Sequence, residues 1–457
     1  MSNSLPSPSK IQVERVRLYT YDGIPIPLEG INTEINISQS MDSPAFTGSL
    51  KVMDNVGILE GTPLRGEERL ELVITSNDLR IKKKLNLQVY RIDNVTPNDA
   101  NDGASYYLHF ISNISFQASK RRVIESIRNN SINQAAKRVF SKYFDKLENE
   151  SSFNLPFAGQ SYSIGNTERS FILQPTQNLF KGIIPNYTPA DAMYFLSSRA
   201  YIQDEGATSC SFRFFETLDD YYFVSDEFLI KRAVDNEEQI PLTYFPQVSK
   251  DSKDIKQQIF SIEKIEYPLR VDSNHDLSSG GYANKITDVD FARREYKVRY
   301  FNYFGHDLRK EDFDGSKYID MNGEKRSTES YIHTEDYARD TFNRENARQF
   351  LMFRDYGKIG DIAGSLKGEQ YMAEITARRV SYQHHLQATS LGATLKGRLD
   401  IQPGNVVDLR IMELVSDSQR DFNKQLSGNY LVHTVNNTII GEELTTNLKL
   451  MKYDWSR

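Results

Sequence analysis

Apolar and polar side chains alternate in short runs along the first 118 residues. Residues 13–18, 33–37, 47–53, 69–74, 85–95 and 106–111 carry the two-residue period of strands, and Gly, Pro, Asp and Asn turns separate them. Leu70, Leu72 and Ile74 fall on one face, Glu71 and Val73 on the other. Many short strands at near-regular spacing predict a small barrel or sandwich.

The period changes after residue 118. Ser131 is placed to cap a helix with Ile132, Ala136, Val139, Phe140, Tyr143 and Leu147 as its apolar stripe. A second helix starts at Thr188, with Pro189 at its first position and Ala192, Phe195, Leu196, Arg199 and Ala200 lining it. Strands over 209–217 and 221–225 meet at the turn Asp219-Asp220. Strand patterning returns at 259–267 and 297–304, then at 387–395, 406–412, 429–436 and 445–451. Residues 306–385 are polar and charge-rich, with helices expected over 333–354 and 367–385.

The first and last strand blocks resemble each other. Gly66 precedes Leu70, Leu72 and Ile74 as Gly404 precedes Val407, Leu409 and Ile411. Downstream, Tyr90 through Val95 aligns with Tyr430 through Val435, and Tyr106, Leu108 and Phe110 with Thr446, Leu448 and Leu450. The order of glycine turn, alternating strand and long hairpin favours an internal duplication. A trimer of such a chain would present six similar units around one axis.

Composition narrows the class. A chain of 457 residues has room for several domains, and 39% hydrophobic with 26% charged residues fits a soluble globular protein. The 26 Tyr and 25 Phe tilt it toward β structure. A formal net charge of −6 argues against a dedicated nucleic-acid binder and does not exclude a pore through which nucleic acid slides without sticking. The single cysteine, Cys210, excludes an internal disulfide and a cysteine-based metal site. The start, MSNSLPSPSK, reads as a flexible arm without a signal peptide, and no membrane-spanning segment is expected.

Several segments, in order, carry a resemblance to a known family: Ser43 through Asp54, Thr188 through Ala200, Phe214 through Ser225, Gln402 through Leu409 and Ser427 through Val432. The chain resembles the tail-hub family of contractile phages, which includes the baseplate hub protein of T-even-like phages, the late control protein D and the VgrG trunk. The resemblance implies a mainly β fold with α+β insertions. Two similar antiparallel tube-type β-barrels and two smaller α/β domains would assemble as a trimeric ring. The expected domains are 1–118, the first barrel; 119–254, an α/β domain; 255–305 with 386–457, the second barrel; and 306–385, an inserted, mostly helical domain. The implied partners are a tail tube protein, a central spike protein and other baseplate proteins, in a virion tail baseplate assembled in the host cytoplasm. A VgrG-like spike trunk of a secretion apparatus, or a tail-associated cell-wall hydrolase, are the alternatives.

Physical roles can be given to the matched residues. Pro189 lacks the amide that a helix start would orphan, and Ala192 and Leu196 allow close packing on a sheet. Pro403-Gly404 suits a type II turn, Gly428 frees the backbone at a strand start, and Val407, Leu409, Tyr430 and Val432 belong to the matched late strand and final hairpin. Nothing points to catalysis. The sequence has no GxSxG, P-loop, HExxH or complete EF-hand, and no cofactor or metal is expected. His384-His385 point apart on a helix, Asp312 through Gly315 and Asp320 through Glu324 lack a full calcium ligand set, and Cys210 is expected as a buried thiol within a strand. Lys82-Lys83-Lys84 is expected at a hairpin turn.

Overall fold

The computed structural model describes residues 10–244 and 390–453 with short breaks. Between 245 and 389 it describes 260–267, 278–280, 283–290, 295–302, 348–353 and parts of 376–386. The chain opens with strands β1 (Gln12–Tyr19), β2 (Pro25–Pro27), β3 (Asn32–Ser40) and β4 (Thr47–Asp54). A single helical turn, α1 (Ile58–Gly61), leads to β5 (Arg69–Ser76), β6 (Ile81–Pro97) and β7 (Ala104–Ser112). They pair in the order β3-β4-β7-β6-β5-β1-β2. Alternation sends Ile35, Ile37, Leu50, Val52, Leu70, Leu72, Leu108 and Phe110 into one core. At the end of β4, the Asp54 carboxylate accepts from the amides of Val56, Gly57, Ile58 and Leu59, which stops the strand and starts α1. Lys82–Lys84 lie inside β6 rather than at a turn. Their charges are met by Glu14, Asp219 and Glu71, so a strand tolerates the run.

The middle segment follows with α2 (Asn113–Ser119), β8 (Val123–Ser131), α3 (Ile132–Phe140), β9 (Phe153–Phe157), β10 (Gln160–Ile164), β11 (Ser170–Leu173) and β12 (Leu179–Tyr187). Next come α4 (Pro189–Ser197), β13 (Ile202–Asp204), β14 (Ala207–Ser209), β15 (Phe212–Glu216), β16 (Asp220–Ser225) and α5 (Asp226–Asp235). A π-helical turn over Ser141–Asp145 extends α3. Ile132, Ala136, Val139 and Phe140 pack with Ala192, Leu196, Phe214, Tyr221 and Phe223 in a second core. The Thr188 side chain accepts from the Asp191 amide at 3.1 Å, and Pro189 opens α4. Cys210 lies between β14 and β15 rather than within a strand, and it is buried.

The last segment holds β17 (Ile240–Tyr244), β18 (Ile262–Glu266), β19 (Ala283–Asp290), β20 (Glu295–Asn302), β21 (Arg348–Phe353), β22 (Ser390–Lys396), β23 (Val406–Ile411), β24 (Gly428–Ile440) and β25 (Glu443–Lys452). β18-β22-β25-β24-β23-β17 pair in that order, and a bridge from Thr243 to Ser261 joins the two ends. β17 thus belongs to the large sheet, although the sequence leaves it within 119–254. β19, β20 and β21 form a sheet of their own, so the strand expected at 297–304 sits apart from the large one. β21 also replaces the C-terminal end of the helix expected over 333–354. A six-residue run with Phe350, Leu351, Met352 and Phe353 is too short for its period to separate helix from strand. The described positions from 376 to 386 are helical. The fold is mainly antiparallel β.

The two large blocks match strand for strand. In chain order β3, β4, β5, β6 and β7 correspond to β18, β22, β23, β24 and β25, and the sheet order is the same. Irregularities match as well. The β6–β7 ladder shifts between Val89 and Arg91, and the β24–β25 ladder between Val432 and Thr434. The β3–β4 ladder shifts between Asn32 and Glu34, and β18–β22 between Ile262 and Lys264. The register corrects the sequence alignment. Leu70 faces Leu87 as Val407 faces Tyr430, so Tyr430 corresponds to Leu87 and not to Tyr90. Two departures stand out: β1 runs antiparallel to β5, whereas β17 runs parallel to β23, and the β6–β7 ladder shifts again between Asp93 and Thr96 where β24–β25 does not.

Candidate assembly site

The two blocks are fused by one long hairpin. The first part of β24 pairs with β23 through Gly428–Leu431. Beyond the bulge, Thr434 to Ile440 pair with Ser40 to Glu34 of β3. The Met41 amide donates to the His433 carbonyl at 3.0 Å and sets the hydrogen-bonding phase of this ladder. On its outer face Thr438 donates to Asn36 at 2.8 Å, Ser38 to Asn436 at 2.7 Å and Thr434 to Ser40 at 3.3 Å. On the inner face the hairpin divides. Tyr430, Val432, Val435, Leu448 and Leu450 fill the core of the second block, whereas Ile439 and Leu444 enter that of the first. A further bridge from Lys10 to Glu443 ties the hairpin tip to the start of the chain.

A polar cluster sits beside the bulge. Arg213 Nε and Nη2 donate to the two oxygens of Asp226 at 2.8 and 3.1 Å, and Nη1 donates to Asp42. His433 Nε2 lies 3.0 Å from the other Asp42 oxygen, and the Tyr194 hydroxyl donates to the Asp42 carbonyl at 2.9 Å. The His433 ring, followed by the Arg213 guanidinium, holds the Asp42 carboxyl at about 2 against the opposing effect of burial. One loop of the first block, the middle segment and β24 therefore meet in one polar group. A second buried pair anchors α2: Glu216 accepts from Ser112, Ser115 and Arg169 at 2.5, 2.6 and 2.5 Å. Arg379, from the helical positions near 380, donates to the carbonyls of Ser197, Ser198 and Cys210 at 3.1, 2.7 and 2.7 Å and so closes the C-terminal end of α4.

The sequence-selected residues fall in two places. Pro189, Ala192 and Leu196 lie on α4, with Ala192 and Leu196 in the core of the middle segment. Pro403, Gly404, Val407, Leu409, Gly428, Tyr430 and Val432 lie in the second block. The Asn405 amide donates to the Gln402 carbonyl at 3.1 Å, and Gly404 has φ 89°, as a type II turn needs at its third residue. Its added Cβ would come within 3.3 Å of Leu229 and Phe215, so this turn also packs on the middle segment. Tyr430 donates its hydroxyl to the Leu426 carbonyl at 2.6 Å. The two groups do not converge on one site. Asp42, Arg213, Asp226, His433, Glu216, Arg169 and Arg379 escaped the sequence reading. Arg213 and Glu216 inside the aromatic run Phe212–Glu216 were the available signal, because a buried strand keeps a charge only with a partner. His384 Nδ1 lies 3.5 Å from the Ser279 hydroxyl. His385 and both Asp-rich turns, 312–315 and 320–324, lie outside the described residues. Among the described residues, no helix is long and apolar enough to cross a membrane.

No protein-family model and no curated protein matches the chain. Among solved structures it is similar to a tail protein from Neisseria meningitidis MC58, at 10% identity over 96% of each chain with a TM-score of 0.48. It is also similar to a 43 kDa tail protein of prophage MuSo2 from Shewanella oneidensis, at 8% identity over 96% of this chain and 98% of the other, with a TM-score of 0.47. A third similarity is to an E. coli type VI secretion component described as resembling T4 bacteriophage tail proteins. There the identity is 9%, the coverage 98% of this chain and 79% of the other, and the TM-score 0.40.

Proposed function

We propose that the chain is a structural hub of a contractile phage tail baseplate, in which each copy contributes two tube-type β-barrels to a homotrimeric ring. The observation that carries this reading is the doubled strand block, with the same sheet order in both copies and a shared bulge after Val89 and Val432. Three such chains present six near-equivalent units around one axis. A ring of that kind meets a hexameric tail tube on one face and a trimeric spike on the other, and its bore passes DNA. Its action is mechanical: it matches symmetries and holds the joint through backbone pairing and side-chain packing. The setting, with tube, spike and baseplate neighbours, comes from the sequence resemblance.

Sedimentation equilibrium of the purified chain tests the stoichiometry. The proposal expects one species at about three times the 52.6 kDa chain mass. A monomer that persists at high concentration overturns it.

A further inference from the structure

The chain builds one barrel-to-barrel seam internally, and it carries the two halves of a second. β24 pairs with β23 before its bulge and with β3 after it. β6 is its counterpart: it pairs with β5 up to Gln88, and its bulge follows Val89. Beyond that bulge, among the described residues, no strand pairs the edge of β6 that faces away from β7. The counterpart of β3 is β18. Among the described residues its edge away from β22 carries only the bridge at Ser261, where β3 carries the whole tip of β24.

Burial follows the same division. His433 at the β24 bulge is 4% exposed, whereas Tyr90 at the β6 bulge is 45% exposed and Val95 beyond it 52%. Ile35 of β3 is fully buried, and its counterpart on β18, Ile265, is only partly so. Open edges with apolar residues beside them recruit another strand. Among the described residues these two edges do not pair with each other, which leaves both open to another copy.

We infer that the tip of β6 in one copy docks on the edge of β18 in the next copy, repeating between chains the β24–β3 seam made within the chain. The contact is head-to-tail, and it closes into a ring when the rotation allows. The inference rests on the hub reading and adds the surface by which the copies join. The register is fixed by equivalence. Thr96 faces Ser105 as Thr438 faces Thr445, which makes Thr96 the counterpart of Thr438. Glu266 follows Ile265 as Asn36 follows Ile35, which makes Glu266 the counterpart of Asn36. Thr438 and Asn36 are directly opposed, at a pair that does not exchange backbone hydrogen bonds and where Cα atoms come closest. Thr96 and Glu266 of neighbouring copies take that place.

Cysteine cross-linking of the full chain tests this. Thr96 and Glu266 are both exposed, and the native Cys210 is buried. Under mild oxidation Thr96→Cys with Glu266→Cys is expected to give disulfide-linked dimers and trimers on a non-reducing gel, with nothing larger, while neither single variant does. Asn36→Cys with Thr438→Cys is the internal control and is expected to cross-link within one chain. If the control closes and the unmodified protein sediments as a trimer, yet the Thr96/Glu266 variant stays uncross-linked, the seam is wrong and the hub reading stands. If the unmodified protein is monomeric, both fail.

Discussion

Ile439 of the second strand block faces Ile35 of the first directly across the β24–β3 ladder, and each is 1% exposed. The pair makes the hairpin tip part of a core that its own block does not own. Ile439→Ala is therefore expected to lower stability by about 2–5 kcal/mol, the usual loss for a buried Ile with partial collapse of the cavity. Ile440, next along the strand and largely exposed, gives the comparison: its Ala variant is expected to change stability by less than about 0.5 kcal/mol. Urea midpoints at constant m-value check both.

Removing Arg213 strands a buried carboxylate. Asp226 is fully buried and takes two bonds from that guanidinium. Arg213→Ala is expected to cost about 3–5 kcal/mol, because the unpaired charge remains inside. The double variant Arg213→Ala with Asp226→Ala is expected to recover part of that loss, and a double-mutant cycle measures the coupling.

Two acids give opposite pH dependences. The Asp42 carboxyl is depressed to about 2 in the folded protein, so its contribution is present above its ordinary value of 3.8 and disappears as pH falls toward 2. Its side chain is 59% exposed, so water screens the pair and the effect is small. The Glu227 carboxyl runs the other way. Burial, and then the neighbouring Asp226 charge, push it up to about 7. The folded state binds a proton there that the unfolded state has released, so stability falls as pH rises from about 4.5 to 7. Glu227→Gln is expected to flatten that slope, and Asp42→Asn to flatten the acid limb. Thermal melts across pH 2–8 read both.

Gly48 marks a close backbone approach in the first block. A Cβ there would stand 2.1 Å from the Asn36 carbonyl oxygen and 2.4 Å from Phe110 Cζ. Because the first of these is backbone of the strand that carries the seam, Gly48→Ala is expected to cost at least about 1–3 kcal/mol and to loosen β3. Hydrogen exchange at the β3 amides checks the second effect.

Strands with one buried face were legible because their period is two: β1, β4 and β7 follow the alternation of Val16, Leu50 and Leu108. The repeat was legible in order, and in register for β5 with β23 and β7 with β25, but not for β6 with β24. A bulge reverses the phase of alternation, so across Tyr90 and His433 the wrong pairing of Tyr90 with Tyr430 reads as well as the right one. The alignment of Val95 with Val435 misled for the same reason. Ile92 is the residue opposite Leu108, and a second irregularity intervenes before Thr96. The polar cluster was invisible because Asp42, Arg213 and His433 lie far apart in the chain, and no local pattern links them. Pro189 and Gly404 were readable because their roles are local backbone chemistry.

End-on electron-microscope averages of the purified protein, computed without imposed symmetry, probe the central claim at its root. The doubled-block account predicts a ring of six lobes in two alternating kinds around an open bore. Single-chain particles, or a ring whose lobes do not alternate in threes, would contradict it.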